Sequence, residues 1–329
     1  MHRQSLLLII LLCLNNLSAQ NTFPNNSYQW VTQSWKTLTG VADIDTTYIS
    51  SFSTHWNIKG RMNLSGASLS VSGHDGVRHF NCNLSSYRKT SYSIGAGYRG
   101  LSVNLSLNPE ALAGKYNDYE WTFSTYYNRF GFEAVYHKSS SFSGNASIED
   151  SIIFNLPVGI VSQEIFNFNT YYAFNYRRFS HPAAFSQSFL QQRSCGSLLA
   201  GLSYQWRTVH VNDNLQPQTI PFSLFSQEIS LGAGYGYNYV PFKGLMLHIS
   251  TVPSFIIYSE RHYHLNGAHA VPFRFPEVII TARGALVYNI GQWFMGSNMV
   301  FNFSTIGDSR EIEIHNIKWQ SHIFIGVRL

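Results

Sequence analysis

Apolar and polar residues alternate with a period of two along much of this chain. The pattern is clearest in the segments 91–99, 101–108 and 227–239; in 101–108, every leucine or valine is followed by a serine or an asparagine. Successive side chains of a β-strand point to opposite faces, whereas a helix repeats its apolar positions about every 3.6 residues. The alternation therefore predicts strands that have one apolar and one polar face.

Fourteen segments carry this pattern, and most are long enough for a tilted strand to cross a membrane, which takes about 9–11 residues. We favour fourteen strands; twelve is the next even number, if the chain from 54 to 72 forms one strand rather than two. The segments are 55–64, 66–72, 77–85, 91–99, 101–108, 119–127, 130–138, 165–177, 197–208, 227–239, 245–255, 277–290, 292–304 and 317–329.

Short and long connections take turns along the chain, as in outer-membrane barrels with short periplasmic and long external loops. With the C-terminus in the periplasm, the short connections predicted there are 73–76, 99–100, 128–129, 240–244 and 291. The long ones, predicted to be external, are 108–118, 139–164, 209–226, 256–276 and 305–316. The segment 178–196 breaks this rule, because it is long and yet falls on the periplasmic side.

The N-terminus predicts export. A basic start, an apolar run over 6–14 and small residues near 18–20 are typical of a cleaved secretory signal in residues 1–20. Residues 21–50 lack the alternation and are predicted to form a periplasmic lead before a barrel over 51–329. Two cysteines follow the signal, Cys82 and Cys195, which could pair or remain free thiols.

Composition separates a membrane barrel from a soluble β-sandwich, which would also alternate. Charged residues make up 12% of the chain and aromatic residues 16%, whereas soluble domains carry about 25% charged residues. Aromatic residues cluster at predicted strand ends, for example Tyr98, Tyr126 and Trp293, like the girdles of membrane barrels. We therefore predict an all-β, antiparallel transmembrane barrel of 12–14 strands in the outer membrane of a Gram-negative bacterium.

Partners follow from this location. The last strand is amphipathic and ends on the apolar Leu329, which resembles the signal that barrel-assembly machinery reads during insertion. The expected surroundings are outer-membrane lipid and lipopolysaccharide, with a periplasmic protein as a further candidate partner. The net charge of +5 is mild and dispersed, so no nucleic-acid partner is expected.

The strand pattern also predicts charges in the lumen. One interpretation is a cationic pore that favours anions; the other, which we favour, is that the charges link the walls and partly fill the barrel. The acidic residues predicted to face inward are Glu120, Glu133, Glu228 and Glu277. The basic ones are Lys59, Arg61, Arg78, Arg99, Arg177, Arg207, Arg283, Lys318 and Arg328.

The exceptional segment 178–196 is a candidate plug or ligand-holding loop, because long connections in compact walls usually have a function. The alternative is a periplasmic turn that assembly requires. Its candidate residues, with one preceding arginine, are Arg177, Arg178, Ser186, Gln187, Gln191 and Arg193.

Other chemistry is weakly indicated. His262, His264 and His269 near Glu260 could hold a metal, but their loose spacing favours a solvated external loop, so no metal or other cofactor is expected. No catalytic sequence motif is present, and we expect no enzymatic activity. His137, Ser139 and Ser141, near a predicted external rim, are the residues on which a lipid-modifying activity would have to depend.

One stretch resembles a known family. The residues from Tyr171 to Ser188, YYAFNYRRFSHPAAFSQS, continue as QQRSCGS over 191–197 and resemble the domain of unknown function 4421 family of Bacteroidetes. The resemblance extends to DTTYI at 45–49 and to the hairpin GAGYRGL at 95–101, and departs at Cys195, where a small residue is expected. It implies a predicted outer-membrane barrel and carries no known activity.

Three functions remain as hypotheses, in decreasing order of preference. The first is a non-enzymatic barrel that passes or binds small solutes through a polar lumen. The second is a structural or assembly partner in the envelope, which would use 178–196 and the N-terminal lead. The third is a lipid-modifying barrel enzyme.

Overall fold

A computed structural model describes residues 43–54, 56–75, 78–86, 89–98, 101–114, 118–148, 151–211, 223–264, 268–270, 272–308 and 312–329. The predicted signal and residues 21–42 of the predicted lead lie outside these ranges, as do Arg99 and the side chain of Arg78. Among the described residues, no helix is long and apolar enough to cross a membrane.

Strands dominate the described chain, with two short helices between them. The helices are α1 (Pro109–Leu112) and α2 (His181–Phe185). The strands are β1 (Ile49–Ser51), β2 (Trp56–Asp75), β3 (Arg78–Ser86), β4 (Lys89–Tyr98), β5 (Leu101–Leu107), β6 (Asp118–Tyr126), β7 (Phe130–Ile148), β8 (Ser151–Ala173), β9 (Phe189–Gln191), β10 (Cys195–Val211), β11 (Ser223–Phe242), β12 (Leu245–His264), β13 (Ala268–Ala270), β14 (Val278–Ile290), β15 (Trp293–Asp308) and β16 (Ile312–Arg328).

The main sheet contains 14 strands within the described residues, and it closes on itself. The closed circuit runs β2-β4-β5-β6-β7-β8-β10-β11-β12-β14-β15-β16 and returns to β2, while β3 and β13 attach to its margin. Every pair is antiparallel, and β16 pairs with β2 from Ile312↔Gly73 to Arg328↔Asn57. The predicted all-β antiparallel barrel is therefore confirmed, with 14 strands in the sheet and twelve in the closed circuit.

The chain from 56 to 75 is one strand, not the two that we favoured. On its inward face, Lys59 and Arg61 give way to Leu69 and Val71 further along, while the strand pairs without interruption with β16. The reversal of polarity looked like a strand break in the sequence. Because the strand is continuous, its end at 73–75 lies at the end of the barrel opposite the C-terminus. The prediction that 73–76 is a periplasmic turn was wrong.

The end that carries the C-terminus is hereafter the periplasmic end, and the opposite one the external end. Near the external end, β3 lies between β2 and β7 and pairs with both. Nearer the periplasm, β4, β5 and β6 fill the same interval. The predicted strand 77–85 therefore adds to the external wall and does not cross the whole barrel.

Several predicted external loops are strands. β7 and β8 continue as a hairpin up to Ile148↔Ser151, with bulges between Ser139 and Phe142, so the predicted loop over 139–164 was wrong. Likewise β12 extends to His264, and β15 and β16 pair up to Asp308↔Ile312. These extensions form a second, external layer of the barrel.

Short turns join strands at the periplasmic end, as predicted, and two of them, 243–244 and 291–292, have two residues each. Gly244 and Gly291 have φ values of 91° and 58° in the turns that precede β12 and β15. This left-handed conformation suits glycine because it has no Cβ. The register across these turns, Phe242↔Leu245 and Ile290↔Trp293, is therefore fixed by the turns as well as by the face pattern.

The outer surface of the circuit carries a belt of exposed large apolar side chains. Since isolated apolar residues are common on any surface but a continuous belt is not, this belt marks the surface that meets lipid. Together the closed sheet and the belt define an outer-membrane β-barrel. Its members include Trp56, Ile58, Ile94, Val103, Leu105, Trp121, Phe123, Leu198, Leu231, Ile249, Phe255, Ile290, Trp293, Ile323 and Ile325.

In the external layer the polarity is reversed. Ser68, Asn83, Asn145 and Glu260 face outward and are exposed, and the interior is a cluster of buried apolar side chains, here called the outer core. The outer core comprises Leu69, Val71, Leu84, Phe142, Leu156, Ile160, Val161, Val209, Leu224, Ile256, Ile306 and Ile314.

Candidate ligand chamber and periplasmic plug

The connection between β8 and β10, residues 174–194, folds into the periplasmic mouth of the barrel and is called the plug. Its helix α2 is capped at the N-terminus by Ser180, whose hydroxyl accepts a hydrogen bond from the amide of Ala183. Pro182 lies in the first turn, where its missing amide proton costs no helical hydrogen bond. The helix is buried among side chains of the wall: Met246, Ala285, Val287, Phe294 and Phe324.

Gln187 anchors the plug to β2 and β16, the first and last strands of the closed circuit, which pair with each other. Its side-chain oxygen accepts a hydrogen bond from Lys59 Nζ at 3.2 Å, and its backbone carbonyl accepts two from Arg328, at 2.9 and 3.1 Å. Gln187 is the one residue other than glycine with positive φ (58°) among the described residues. A side chain in that conformation is strained, and here the turn directs the carbonyl at Arg328.

A second anchor consists of buried amide and hydroxyl groups. Asn238 donates to Gln191 Oε1 (2.9 Å) and to the carbonyl of Ser180 (3.0 Å), and its own oxygen lies 2.7 Å from His248 Nδ1. The hydroxyl of Ser180 donates to Asn128 Oδ1 at 2.7 Å. Buried polar groups cost free energy unless they are hydrogen-bonded, so this network fixes one position of the plug.

Residues 45–51 form a strap across the periplasmic side of the plug. β1 pairs with β9 of the plug, and Ile49 is fully buried. Asp45 accepts a hydrogen bond from Arg178 Nε at 3.2 Å, and its amide donates to the carbonyl of Arg177 at 2.8 Å. A hydrogen bond from the Thr47 side chain holds the pKa of Asp45 below its ordinary value, and Arg178 contributes in the same direction.

The candidate plug residues divide into two groups. Ser186, Gln187 and Gln191 are buried inside the mouth. The side chains of Arg177 and Arg178 are 65% and 55% exposed, and Arg193 is also exposed and lies against the Tyr48 ring. The prediction that Arg177 faces the lumen was wrong. β8 ends at Ala173, and the alternation between inward and outward side chains does not continue beyond the end of a strand.

Above the plug lies a polar chamber of about 210 Å³. The plug residues His181 and Phe185 form part of its floor, and Phe142 of the outer core forms part of its far end. The predicted lumen residues Lys59, Arg61, Arg207, Arg283, Lys318, Glu120, Glu133 and Glu228 all line it.

Two ion clusters balance their own charge at the external side of the chamber. In the first, Arg261 lies 3.0 Å from Glu228 and 2.9 Å from Glu277, and all three are at least 96% buried. Arg207 is also buried on the lumen face of the neighbouring strand β10. The alternating pattern did not identify Arg261, because this residue lies in the segment 256–276 that was predicted to be an external loop.

The second cluster joins β4, β6 and β7 toward their external ends. Lys89 Nζ contacts Asp118 Oδ1 at 2.7 Å and Ser139 Oγ at 2.6 Å, and His137 Nε2 lies 2.9 Å from the same carboxylate oxygen. His137 thus uses Nε2 on Asp118 and not on Ser139. Within the described residues this cluster is an ion network around a bulge, not a serine–histidine relay.

The other candidate chemistry is not gathered into a site. His262 and His264 are exposed, and the side chain of His269 lies outside the described residues. Among the residues that the structure describes, no group of three or more histidine, cysteine or acidic side chains could hold a metal ion. Cys82 and Cys195 are free thiols.

The plug and the chamber are built almost entirely from the region that a known family covers. The sequence matches the family described as "Domain of unknown function (DUF4421)" over residues 43–329. The chain belongs to the DUF4421 family. The resemblance noted in the sequence is thereby confirmed, and the strap, the plug and all twelve strands of the circuit fall within the DUF4421 region.

Solved structures with similar architecture share very little sequence with this DUF4421 chain. The outer membrane protease OmpT from Escherichia coli is 8% identical, with a TM-score of 0.44, over 85% of this chain and 98% of that one. The β domain of the Bordetella autotransporter BrkA is 8% identical, with a TM-score of 0.36, over 84% and 100%.

The Pseudomonas putida toluene transporter TodX is 6% identical, with a TM-score of 0.32, over 84% of this chain and 90% of that one. No curated protein matches the sequence. At these TM-scores the structural neighbours carry no information about what the DUF4421 chain does.

Proposed function

We propose that this DUF4421 protein binds a small polar solute in the chamber and is not an open pore. The observation that carries the proposal is the position of the chamber, which has the plug on its periplasmic side and the outer core on its external side. Burial of 70–90% of a ligand's surface is typical of small-molecule sites. Displacement of the plug would connect the chamber with the periplasm.

Single-channel recording tests the first part. The refolded mature protein should give no steady conductance in a planar bilayer, because side chains fill the barrel at both ends of the chamber. A well-folded sample with stable open-channel current would overturn the proposal in favour of a pore.

Cysteine accessibility tests the second part. In a background with Cys82→Ser and Cys195→Ser, Ser124→Cys on the chamber wall should resist a charged, membrane-impermeant thiol reagent, while Ser68→Cys on the external surface reacts. Replacing 178–194 with a short glycine–serine linker should expose Ser124→Cys to reagent from the periplasmic side. Equal, rapid labelling of both cysteines before that replacement would contradict a chamber closed by the plug.

A second candidate function, an envelope partner that docks at the periplasmic face, is favoured by the exposed Arg177, Arg178 and Arg193 around the strap. A photo-cross-linker at Arg193 tests it in intact cells. The control is the same cross-linker at Gln187, which is 1% exposed and should capture only the barrel itself. Identical products from both positions would remove this candidate.

A further inference from the structure

Within the described residues, four basic side chains of the chamber have no acidic partner close enough for a salt bridge: Lys59, Arg61, Arg283 and Lys318. The salt bridges within the chamber wall engage Lys89 and Arg261, which already balance Asp118, Glu228 and Glu277 together with Arg207. The remaining carboxylates that line the chamber are Glu120 and Glu133. Counted by formal charge, these four basic and two acidic side chains leave an excess of two positive charges in the chamber.

Within the described residues, two buried guanidinium nitrogens of the chamber have no hydrogen-bond partner, whereas Lys59 donates to Gln187. Arg61 Nε is fully buried and has no hydrogen-bond partner, and the same holds for Arg207 Nε at the far end of the chamber. The carboxylates, by contrast, are engaged: Glu133 accepts from the Tyr126 hydroxyl and Glu120 accepts from Gln320. A buried charge is costly unless it is paired and hydrogen-bonded, so these unpartnered donors favour an added acceptor in the chamber.

We propose that the chamber is a binding site for a small dianion, such as inorganic phosphate or a short dicarboxylate. Two negative charges would cancel the excess of the wall, and the planar guanidinium groups of Arg61 and Arg283 suit the paired oxygens of a phosphate or a carboxylate. This inference rests on the proposed function, for which it names the class of solute.

The size of the chamber limits the ligand. One water molecule needs about 10–15 Å³ of such cavity space, so a chamber of about 210 Å³ has room for a small anion together with waters. Neutral solutes of the right size would leave the excess charge in place, so charge as well as size selects the ligand.

Refolding in the presence of the probe avoids the question of how the ligand reaches a closed chamber. The mature protein is refolded in detergent with radiolabelled inorganic phosphate and then freed of unbound phosphate on a desalting column. Parallel samples contain unlabelled succinate, sulfate or chloride as competitors. The protein should retain close to one phosphate per chain, and succinate and sulfate should compete far better than chloride.

Matched variants identify the site. Arg61→Gln and Arg283→Gln should each lower retention on the order of tenfold or more, as expected for the loss of a charged hydrogen bond. Arg178→Gln removes one cation from the exposed periplasmic face and should retain phosphate like the parent. Heat-dependent mobility on a denaturing gel verifies that each variant is folded, and Arg283→Lys should restore part of the retention.

The outcomes separate the two proposals. If the folded parent retains none of the dianions, or if Arg61→Gln/Arg283→Gln retains phosphate like the parent, the dianion site is wrong. Steady conductance of the parent would refute the closed chamber, yet dianion retention that depends on Arg61 would still support this site. A silent parent with a protected Ser124→Cys but no anion would leave the chamber in place and refute only its ligand class.

Discussion

The two layers of the barrel wall have opposite polarity on their inner and outer faces. In the lower layer, strand β2 points Trp56 and Ile58 outward and Lys59 and Arg61 inward; in the external layer it points Ser68 outward and Leu69 inward. The strand pairs with β16 without a register shift, so even-numbered residues face outward and odd-numbered residues face inward along its whole length. What changes is the solvent outside, from lipid to water, and the apolar face follows because burial of apolar surface from water stabilises a fold.

The two layers therefore gain stability differently. The external layer has a packed apolar interior, as in a soluble β-barrel, with Phe142, Ile256 and Ile314 at most 3% exposed. The lower layer encloses polar and charged groups, which cost free energy unless they are paired. Substitutions that are equivalent in chemistry should thus have unequal effects in the two layers.

The largest expected loss comes from the ion cluster that separates the chamber from the outer core. Arg261→Met leaves Glu228 and Glu277 buried without their partner and should lower the free energy of unfolding by about 3–5 kcal/mol. Denaturant unfolding in detergent micelles measures this loss. Adding Glu228→Gln and Glu277→Gln to the same chain should recover part of it; a loss below about 1 kcal/mol for the single variant would contradict a buried cluster.

A matched pair of phenylalanines compares the interior of the external layer with the lipid face. Phe142→Ala creates a cavity in the outer core and should cost about 3–5 kcal/mol in the same unfolding measurement. Phe123→Ala, on the lipid-facing belt, should cost clearly less because detergent or lipid can occupy the vacated space. Equal losses at the two positions would show that the external layer is not a packed core.

A charge scan along β12 locates the boundary between the layers on the outer surface. Ile249→Arg places a charge in the lipid-facing belt and should cost about 2–4 kcal/mol near the bilayer centre. Tyr258→Arg lies on the same surface beside the exposed Glu260 and should change stability by less than about 0.5 kcal/mol. If both arginines were tolerated in lipid vesicles, Ile249 would not lie in the membrane.

The smallest expected effect lies in the strap, outside both layers. Because the pKa of Asp45 is lowered in the folded protein, its contribution to strap binding is present above the unfolded pKa and is lost as the pH falls through the folded pKa. The distance between spin labels on Ser50 and on Ser68 should broaden at acid pH and sharpen at neutral pH. In Asp45→Asn the distance should no longer depend on pH; a pH-dependent distance in that variant would assign the effect to another group.

The alternation of side chains along the strands predicted which residues line much of the chamber, but it predicted less about the plug. Lys59 and Arg61 lie in the predicted strand 55–64 and Arg283 lies in the predicted strand 277–290, so their inward direction could be read from neighbours two residues away. Arg177 follows the end of β8, where parity has no meaning, and it lies outside. Gln187 and Gln191 could be singled out only as polar residues on a connection that was unexpectedly long.

By itself, the sequence determined the class of fold, the alternating faces and the position of 178–196 at the same end of the barrel as the C-terminus. The alternation with a period of two is a local property of an extended backbone, so it can be recognised in each strand separately. The tertiary structure alone decided that β2 runs unbroken through a reversal of polarity, and that β3 replaces three strands in the external wall. It alone also decided that the plug meets Lys59 and Arg328. These features join residues far apart in the chain, so their free energy depends on the whole closed circuit and leaves no local pattern.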